Sequence, residues 1–184
     1  HAPTIQLAEL SQHEKNLLHA GGAQSVFAFD YRLPKYNMKY IDVWVDYYEN
    51  GKKGEGFVGH TSGIEEIDKG RFILSLREPT VQNDSLEKWI LTFLTGEGSS
   101  RSTYIRKEKP LQGIKVVSKR EEPVKIHAGK PIVLAVMVKD PDAHSITVGS
   151  DVYRQPAKLR SLISRYEKVY VLRCKFRTSP KGGM

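Results

Sequence analysis

Residues 39–60, KYIDVWVDYYENGKKGEGFVGH, constrain the fold of this chain more than any other stretch. Apolar and polar side chains alternate through its first half, which is typical of a β-strand with one buried face. Asn50 and Gly51 come next, and because both tolerate the positive φ angles of a type I′ turn, the stretch predicts a β-hairpin. A two-residue turn fixes the expected cross-strand pairs: Glu49 with Lys52, Tyr48 with Lys53, Asp46 with Glu55, Trp44 with Phe57 and Val43 with Val58. One face of such a hairpin is aliphatic, and the other is aromatic and acidic.

Similar alternating segments, separated by turn residues, recur along the chain. We expect strands at these positions: residues 25–33, 71–77, 86–95, 102–107, 114–119, 123–128, 132–139 and 168–177. Residues 123–128 and 132–139 should pair as a second hairpin across Gly129 and Lys130. About ten short strands with two short helices predict a mostly β chain folded as a β-sandwich.

The two helices are placed by local signals. Ser11 and Glu14 match a capping box, so the first helix should begin there and end at Gly21. Leucine and isoleucine recur at helical spacing in residues 157–165, which predict the second helix. Because the strand at residues 132–139 is apolar on both faces, we expect a helix to cover its outer side.

Length and composition bound the class of protein. A chain of 184 residues can bury one sizeable core, so we expect a single domain over residues 1–184, in which any boundary would fall at residues 96–113. With 39% hydrophobic and 27% charged residues, the composition matches neither a disordered chain nor a membrane-spanning one. The chain begins at His1, so we expect that a targeting segment, if the protein has one, was removed before this residue.

The net charge of +8 is concentrated in the second half of the chain. Residues 1–100 contain 10 Lys and Arg against 14 Asp and Glu, whereas residues 101–184 contain 19 against 7. The second helix and the last strand should form a contiguous basic surface from these side chains: Lys158, Arg160, Arg165, Arg173, Lys175 and Arg177. Such a surface attracts an anionic cell-envelope polymer, a lipid surface, a partner protein or nucleic acid. Nucleic acid is less expected, because the aromatic residues of the last strand point inward and offer no stacking to bases. A basic surface that only confers solubility is the alternative.

The outer face of the first hairpin is a second candidate site, for a ligand. Six aromatic and acidic side chains should project from it together: Tyr40, Asp42, Trp44, Asp46, Tyr48 and Phe57. Rings beside carboxylates suit a sugar ring, a peptide or a partner protein, because the rings supply flat apolar area and the carboxylates fix orientation. The alternative is that a helix or another strand covers Trp44 and Phe57.

No pattern of catalytic or metal-ligating residues stands out. Cys174 alternates with inward-facing neighbours, and a cysteine in that position behaves as a small buried hydrophobic residue. Asp46 opposite Glu55 would couple as an acid–base pair, but solvent screens charges near a hairpin tip. The acidic run at residues 140–144 lacks the ligand spacing of a calcium-binding loop and predicts a turn. We therefore expect no catalytic residue, no metal and no cofactor.

Four runs of sequence resemble a group of bacterial proteins: FDYRLP, IDVWVDYYENGKK, VKIHAGKPIVLAVMVKDP and VYVLRCKF. They are similar to uncharacterised extracytoplasmic proteins and lipoproteins of Gram-positive bacilli. The resemblance implies a secreted or membrane-tethered β-rich module without an assigned catalytic residue. We expect a non-enzymatic binding or interaction module at the bacterial cell envelope. Two alternatives stay open, namely an intracellular basic adaptor that binds nucleic acid and an enzyme that uses paired carboxylates.

Overall fold

The computed structural model describes residues 2–34, 37–64, 69–96, 98–110 and 112–180 of the chain. Within these residues there are twelve β-strands and two α-helices. The strands are β1 (Thr4–Leu7), β2 (Ser25–Arg32), β3 (Tyr40–Glu49), β4 (Lys52–Lys53), β5 (Val58–Gly63), β6 (Lys69–Arg77), β7 (Leu86–Thr95), β8 (Gly98–Lys107), β9 (Ile114–Lys119), β10 (Val124–Lys125), β11 (Ile132–Asp140) and β12 (Lys168–Arg177). The helices are α1 (Gln12–Ala20) and α2 (Pro156–Arg165).

The strands form two antiparallel sheets that face each other. The spatial order in the first sheet is β10-β1-β2-β6-β7-β8. The order in the second sheet is β4-β3-β12-β11-β9, and β5 also pairs with β3. The chain passes from the first sheet to the second after β8, because β8 lies in the first and β9 in the second. The prediction of a mostly β chain with a β-sandwich architecture is confirmed.

The main core lies between the two sheets and takes alternate side chains from both. Its largest members in the first sheet are Phe29, Phe72, Trp89 and Phe93, each at most 2% exposed. Cys174 of β12 is fully buried in the same core, as its alternation predicts. Burial raises the pKa of its thiol well above the usual range, so the side chain is an unreactive part of the packing.

A second, smaller core lies on the outer face of the second sheet, where α2 covers β11 and β12. Val136, Val138 and Val169 of the sheet pack in one cluster with Leu159 and Leu162 of the helix, and none is more than 6% exposed. Burying each leucine stabilises the fold by about 1.5–3 kcal/mol. The expectation that a helix covers the outer face of this strand is confirmed.

Helix α1 begins as its sequence predicts and packs loosely. The Ser11 hydroxyl accepts from the Glu14 N–H, and the Glu14 carboxylate accepts from the Ser11 N–H, both at 3.1 Å. No residue of the helix is buried. Arg71 of β6 holds it to the first sheet through ion pairs with Glu14 at 2.8 Å and Asp30 at 2.6 Å.

The first hairpin forms at the predicted turn, but its register is only partly as expected. Asn50 and Gly51 have φ angles of 50° and 79°, and β4 pairs with the end of β3 in the predicted register. Beyond β4 the register changes by two residues, so Trp44 lies opposite Gly59 and not opposite Phe57. The glycine-rich loop between β4 and β5 carries the chain away from β3, and Phe57 turns into the core instead.

The second predicted hairpin, between residues 123–128 and 132–139, does not form. β10 pairs with β1 of the first sheet, whereas β11 pairs with β9 and β12 of the second. Contacts of Ile126 hold this segment on the first sheet. Its side chain is 4% exposed, and its N–H donates to the Pro3 carbonyl at 2.9 Å. The connection between β9 and β11 therefore crosses to the first sheet and returns.

Candidate functional site

A cleft of about 620 Å³ lies where α2 meets the outer face of the second sheet. Six cationic side chains line this basic cleft: Arg120, Lys125, Lys130, Arg154, Arg160 and Arg173. His127, Tyr48 and Tyr153 also line it. No carboxylate is part of the lining among the residues that the structure describes. The cleft is thus suited to an anion.

Three parts of the chain build the basic cleft. Leu159 and Ile163 of α2 turn towards the sheet, and Arg160 extends from the helix beside them. Arg173 lies on β12 and points outward, because its neighbours in the strand point into the core. The crossover between β9 and β11 supplies the remaining wall, including Lys130. The site therefore depends on the two-sided packing of the second sheet.

Among the described residues, two of the six cations form an ion pair with a carboxylate. Arg154 lies 3.3 Å from Glu122, and both side chains are more than half exposed. The Arg173 Nε lies 2.9 Å from an Asp46 oxygen, although its N–H makes no hydrogen bond. Within the described part of the chain, no ion pair is found for the other four: Arg120, Lys125, Lys130 and Arg160. The positive charge of the cleft is thus largely uncompensated.

Arg120 is the most firmly held of these cations. One guanidinium nitrogen donates to the carbonyls of Tyr153 at 3.1 Å and Val133 at 3.3 Å. The Nε is buried without a hydrogen-bond partner, and burial lowers the pKa of the group, which an arginine tolerates without losing its charge. The Tyr153 hydroxyl is 2.6 Å from the Ser118 hydroxyl, and burial raises the pKa of Tyr153 to about 12. A fixed cation therefore stands beside a neutral phenol.

The structure divides the predicted basic surface. Arg160 and Arg173 line the cleft, while Lys158 and Arg165 are exposed on α2 outside it. Arg177 is only 7% exposed, because it forms a bidentate pair with Asp42 at 2.7 and 3.0 Å. The expectation that Arg177 belongs to an exposed basic surface is wrong, since β12 pairs with β3 and brings its cations beside the acidic face of that strand.

The same pairing joins the basic cleft to the predicted aromatic face. A second pocket, of about 800 Å³, is lined by Trp44, Tyr48, Arg173 and Lys175 among others. Tyr48, Arg173 and Pro131 line both pockets, so the two are neighbours on one surface. Trp44 is half-buried and borders open space. Two surfaces that the sequence presents separately are thus adjacent in the structure.

The carboxylates of the aromatic face are occupied by structural contacts. Asp42 is fully buried and also accepts from the Thr61 hydroxyl at 2.5 Å. Burial alone would raise the pKa of Asp42, but hydrogen bonds from Arg177 and Thr61 outweigh it and hold the pKa below its usual value. Asp46 is 8% exposed and forms two ion pairs. One is with Arg173, and in the other the Lys53 Nζ lies 3.3 Å from an Asp46 oxygen. It does not lie opposite Glu55, because of the register change.

Two aromatic side chains of the predicted face each have an arginine over one side of the ring. The Arg177 guanidinium lies over the ring of Tyr40, 5.1 Å from its centroid. Phe57 contacts Trp89 in the core with their centroids 5.8 Å apart, and Arg106 lies 4.1 Å above its ring. Phe57 therefore packs against the core and also lines the pocket beside Trp44.

A buried charged layer between the sheets is the feature that the sequence analysis missed. Glu87 is fully buried and accepts from the Trp89 indole N–H at 2.7 Å and from Arg106 at 3.0 Å. Lys139 is 3% exposed and lies 2.6 Å from Glu78 and 3.7 Å from Glu87. The sequence contains a signal for the burial of Glu87, because Glu87 lies two residues before the inward Trp89 and therefore points to the same side of β7. The cavity beside this layer has a volume of about 10 Å³, which is too small for a ligand. The charged layer is therefore part of the packing between the sheets.

The acidic turn after β11 brings three carboxylates together. Oxygens of Asp140, Asp142 and Glu167 lie within 4.8 Å of one another. Both oxygens of Asp140 accept backbone N–H groups, from Asp142 at 2.9 Å and from Glu167 at 3.0 Å. These bonds are those of a turn, and the expectation of no metal stays a prediction.

A comparison with known proteins identifies the family of the chain. The family model for the YgaN domain matches residues 4–176. The chain belongs to the YgaN domain family. The match spans both sheets of the YgaN domain and every cation of its basic cleft. No curated protein and no solved structure matches the chain. Neither α-helix of the described residues is long and apolar enough to cross a membrane.

Proposed function

We propose that this YgaN domain protein is a non-enzymatic binding module of the bacterial cell envelope and that its basic cleft binds an anionic polymer. The observation that carries the proposal is the set of four cations without a carboxylate partner, Arg120, Lys125, Lys130 and Arg160, in a cleft that no described carboxylate lines. Because no ion pair with a described carboxylate holds these groups, an external anion gains attraction from several of them at once.

The dimensions of the surface favour a polymer over a single ion. Small-molecule sites usually occupy about 300–1,000 Å³, and the basic cleft alone is of that size. Its continuation past Tyr48 to Trp44 offers aromatic area on which an uncharged ring can lie. A polymer in which phosphate groups alternate with sugar or polyol units would use both parts.

The absence of a catalytic arrangement supports a binding role. His127 is the one histidine among the described residues that line the cleft. No side-chain partner orients its ring among the described residues, whereas a catalytic histidine is held by a carboxylate or a carbonyl. Cys174 lies in the opposite core, away from the cleft. Support for the envelope location comes from the sequence resemblance, and fractionation of cells that express the full gene would test it.

The test compares two double variants that each remove two positive charges, one inside the cleft and one outside it. Lys130→Gln with Arg160→Gln removes two cations from the cleft, and Lys158→Gln with Arg165→Gln removes two exposed cations outside it. Binding to poly(glycerol phosphate), to anionic vesicles and to duplex DNA is measured by sedimentation at several salt concentrations. We expect the cleft variant to bind the polymer more weakly and to lower the salt slope by about 2, since each lost contact removes about 1.

The outcomes distinguish binding in the cleft from attraction by net charge and from recognition of nucleic acid. Equal losses in both variants would mean that net charge, and not the cleft, attracts the polymer. No polymer binding at low salt would overturn the proposal. Binding of duplex DNA alone, with a preference for base sequence, would favour the nucleic-acid adaptor, because base readout requires contacts that charge alone does not supply.

A further inference from the structure

The first sheet ends in a long strand with an open edge. β8 has ten residues and pairs with β7 along its whole length, from Leu86 with Lys107 to Thr95 with Gly98. No other strand of the described residues pairs with β8. Alternate residues of an antiparallel edge strand point their backbone N–H and C=O groups away from the sheet. β8 therefore offers a row of free hydrogen-bonding groups to an added strand.

The side chains beside this edge are apolar and basic. Ile105, on the outer face of β8 and two residues before its end, is 59% exposed. Arg101 and Lys107 stand on the same face, and Lys88 lies directly opposite Ile105 on β7. None of these three cations forms an ion pair with a described residue. An apolar position is thus flanked by cations that no described carboxylate neutralises.

An apolar groove continues from the edge across the outer face of the first sheet. It has a volume of about 310 Å³ and lies between α1 and strands β6 and β7. Leu17, Ile90 and Leu94 line it, and Arg101 connects it to the edge strand. Leu17 is 60% exposed. Side chains of an added strand would find apolar contact next to positive charge.

We propose that β8 binds an extended acidic segment of a partner protein, which adds to the first sheet as a further strand. Charge complementarity selects this occupant. A second copy of the chain paired along this edge would bring its own Arg101 and Lys107 to the same face of the extended sheet, and like charges close together on one face are destabilising. An acidic segment instead finds cations on both sides of the exposed Ile105, namely Arg101 before it and Lys107 after it, and pairs with β8 through its backbone.

The test uses a synthetic ten-residue peptide of threonines with three substitutions. Two glutamates are placed to lie beside Arg101 and Lys107, and a valine is placed to lie beside Ile105, with parallel and antiparallel versions both made. One control peptide carries lysines in place of the glutamates, and another carries N-methyl groups on alternate residues, which remove its donors along one edge. Binding is measured by fluorescence anisotropy at low salt, and hydrogen exchange locates the protected amides.

We expect one version of the acidic peptide to bind and to protect amides of β8, while the lysine and N-methylated peptides bind at least about tenfold more weakly, a difference of about 1.4 kcal/mol. Arg101→Glu with Lys107→Glu should abolish binding, whereas Lys52→Glu, at the tip of the hairpin, should not change it. The cleft variant Lys130→Gln with Arg160→Gln should bind the peptide normally, which separates this site from the anionic-polymer site.

Three results would overturn the proposal. They are no binding of either acidic version, equal binding of the N-methylated peptide, and protection of amides elsewhere than on β8. A concentration-dependent dimer in sedimentation velocity that the Arg101→Glu with Lys107→Glu variant alters would show that a second copy occupies the edge instead.

Discussion

Replacing Glu87 by glutamine tests whether the buried charged layer holds the two sheets together. One oxygen of Glu87 accepts from the indole of Trp89 and from Arg106, and the other faces the Lys139 ammonium at 3.7 Å. A glutamine has the same shape but carries an NH₂ group in one of these two positions. In either orientation a donor meets donors, so the change leaves a buried conflict as well as an unbalanced charge.

The structure sets the expected size of this effect. Removing one partner of a buried ion pair costs about 3–5 kcal/mol. The lower end of this range applies, because both cations retain another carboxylate partner in the variant: Glu108 lies 3.4 Å from Arg106, and Glu78 lies 2.6 Å from Lys139. The Arg106 side chain is also 23% exposed, so solvent compensates part of its charge. For a chain of this length a loss of about 3 kcal/mol lowers Tm by roughly 6–12 °C.

The matched control is Glu122→Gln, which removes the same charge from an exposed pair with Arg154. Exposed pairs are worth about 0–1 kcal/mol, so its Tm should fall by less than about 4 °C. Thermal unfolding is followed by circular dichroism at neutral pH, with urea unfolding as a check on the free energy. Equal shifts in the two variants would refute the reasoning, because burial would then make no difference to the pair.

Two further predictions concern β3. Gly51→Val should lower Tm by about 2–8 °C in a thermal melt, because φ is +79° at this residue and a β-branched side chain there costs about 1–2 kcal/mol. The control is Gly63→Val, which should change Tm little, because φ is not positive there and an added Cβ has open space. Equal shifts in the two variants would contradict the turn. The lowered pKa of Asp42 means that its ion pair stabilises the fold above about pH 4, the titration range of an unfolded aspartate, and that this contribution is lost as the pH falls through the lower folded value. The difference in Tm between the wild type and Asp42→Asn should therefore shrink below about pH 4, and a constant difference down to pH 2 would argue against the pair.

The sequence predicts the local structure well, because local structure follows from local patterns. The period of two identifies β3, β6, β7, β11 and β12, and the capping box at Ser11 gives the start of α1. The alternation of Cys174 with its neighbours correctly predicts its burial. The buried position of Glu87 could also have been predicted, because it continues the inward phase of Trp89, but charged residues are rarely expected inside.

The candidate sites could not be assembled from the sequence, because they depend on which strands are neighbours. The cations of β12 lie beside the carboxylates of β3 only because the two strands pair, and no pattern within either strand specifies that pairing. Phe57 does not lie opposite Trp44, because the glycine-rich loop after β4 shifts the register by two residues. The walls of the basic cleft come from the crossover near Lys130 and from α2, and their meeting is a property of the tertiary structure.

The position of β12 has a consequence for how the chain is made. β12 lies between β3 and β11 in the second sheet, and it begins 119 residues after β3 ends. At a synthesis rate of about 5–20 residues per second, β3 waits roughly 6–24 s for its neighbour. During that time the backbone N–H and C=O groups on the edge of β3 that later pairs with β12 have no strand partner, and this edge is a site at which another molecule can pair.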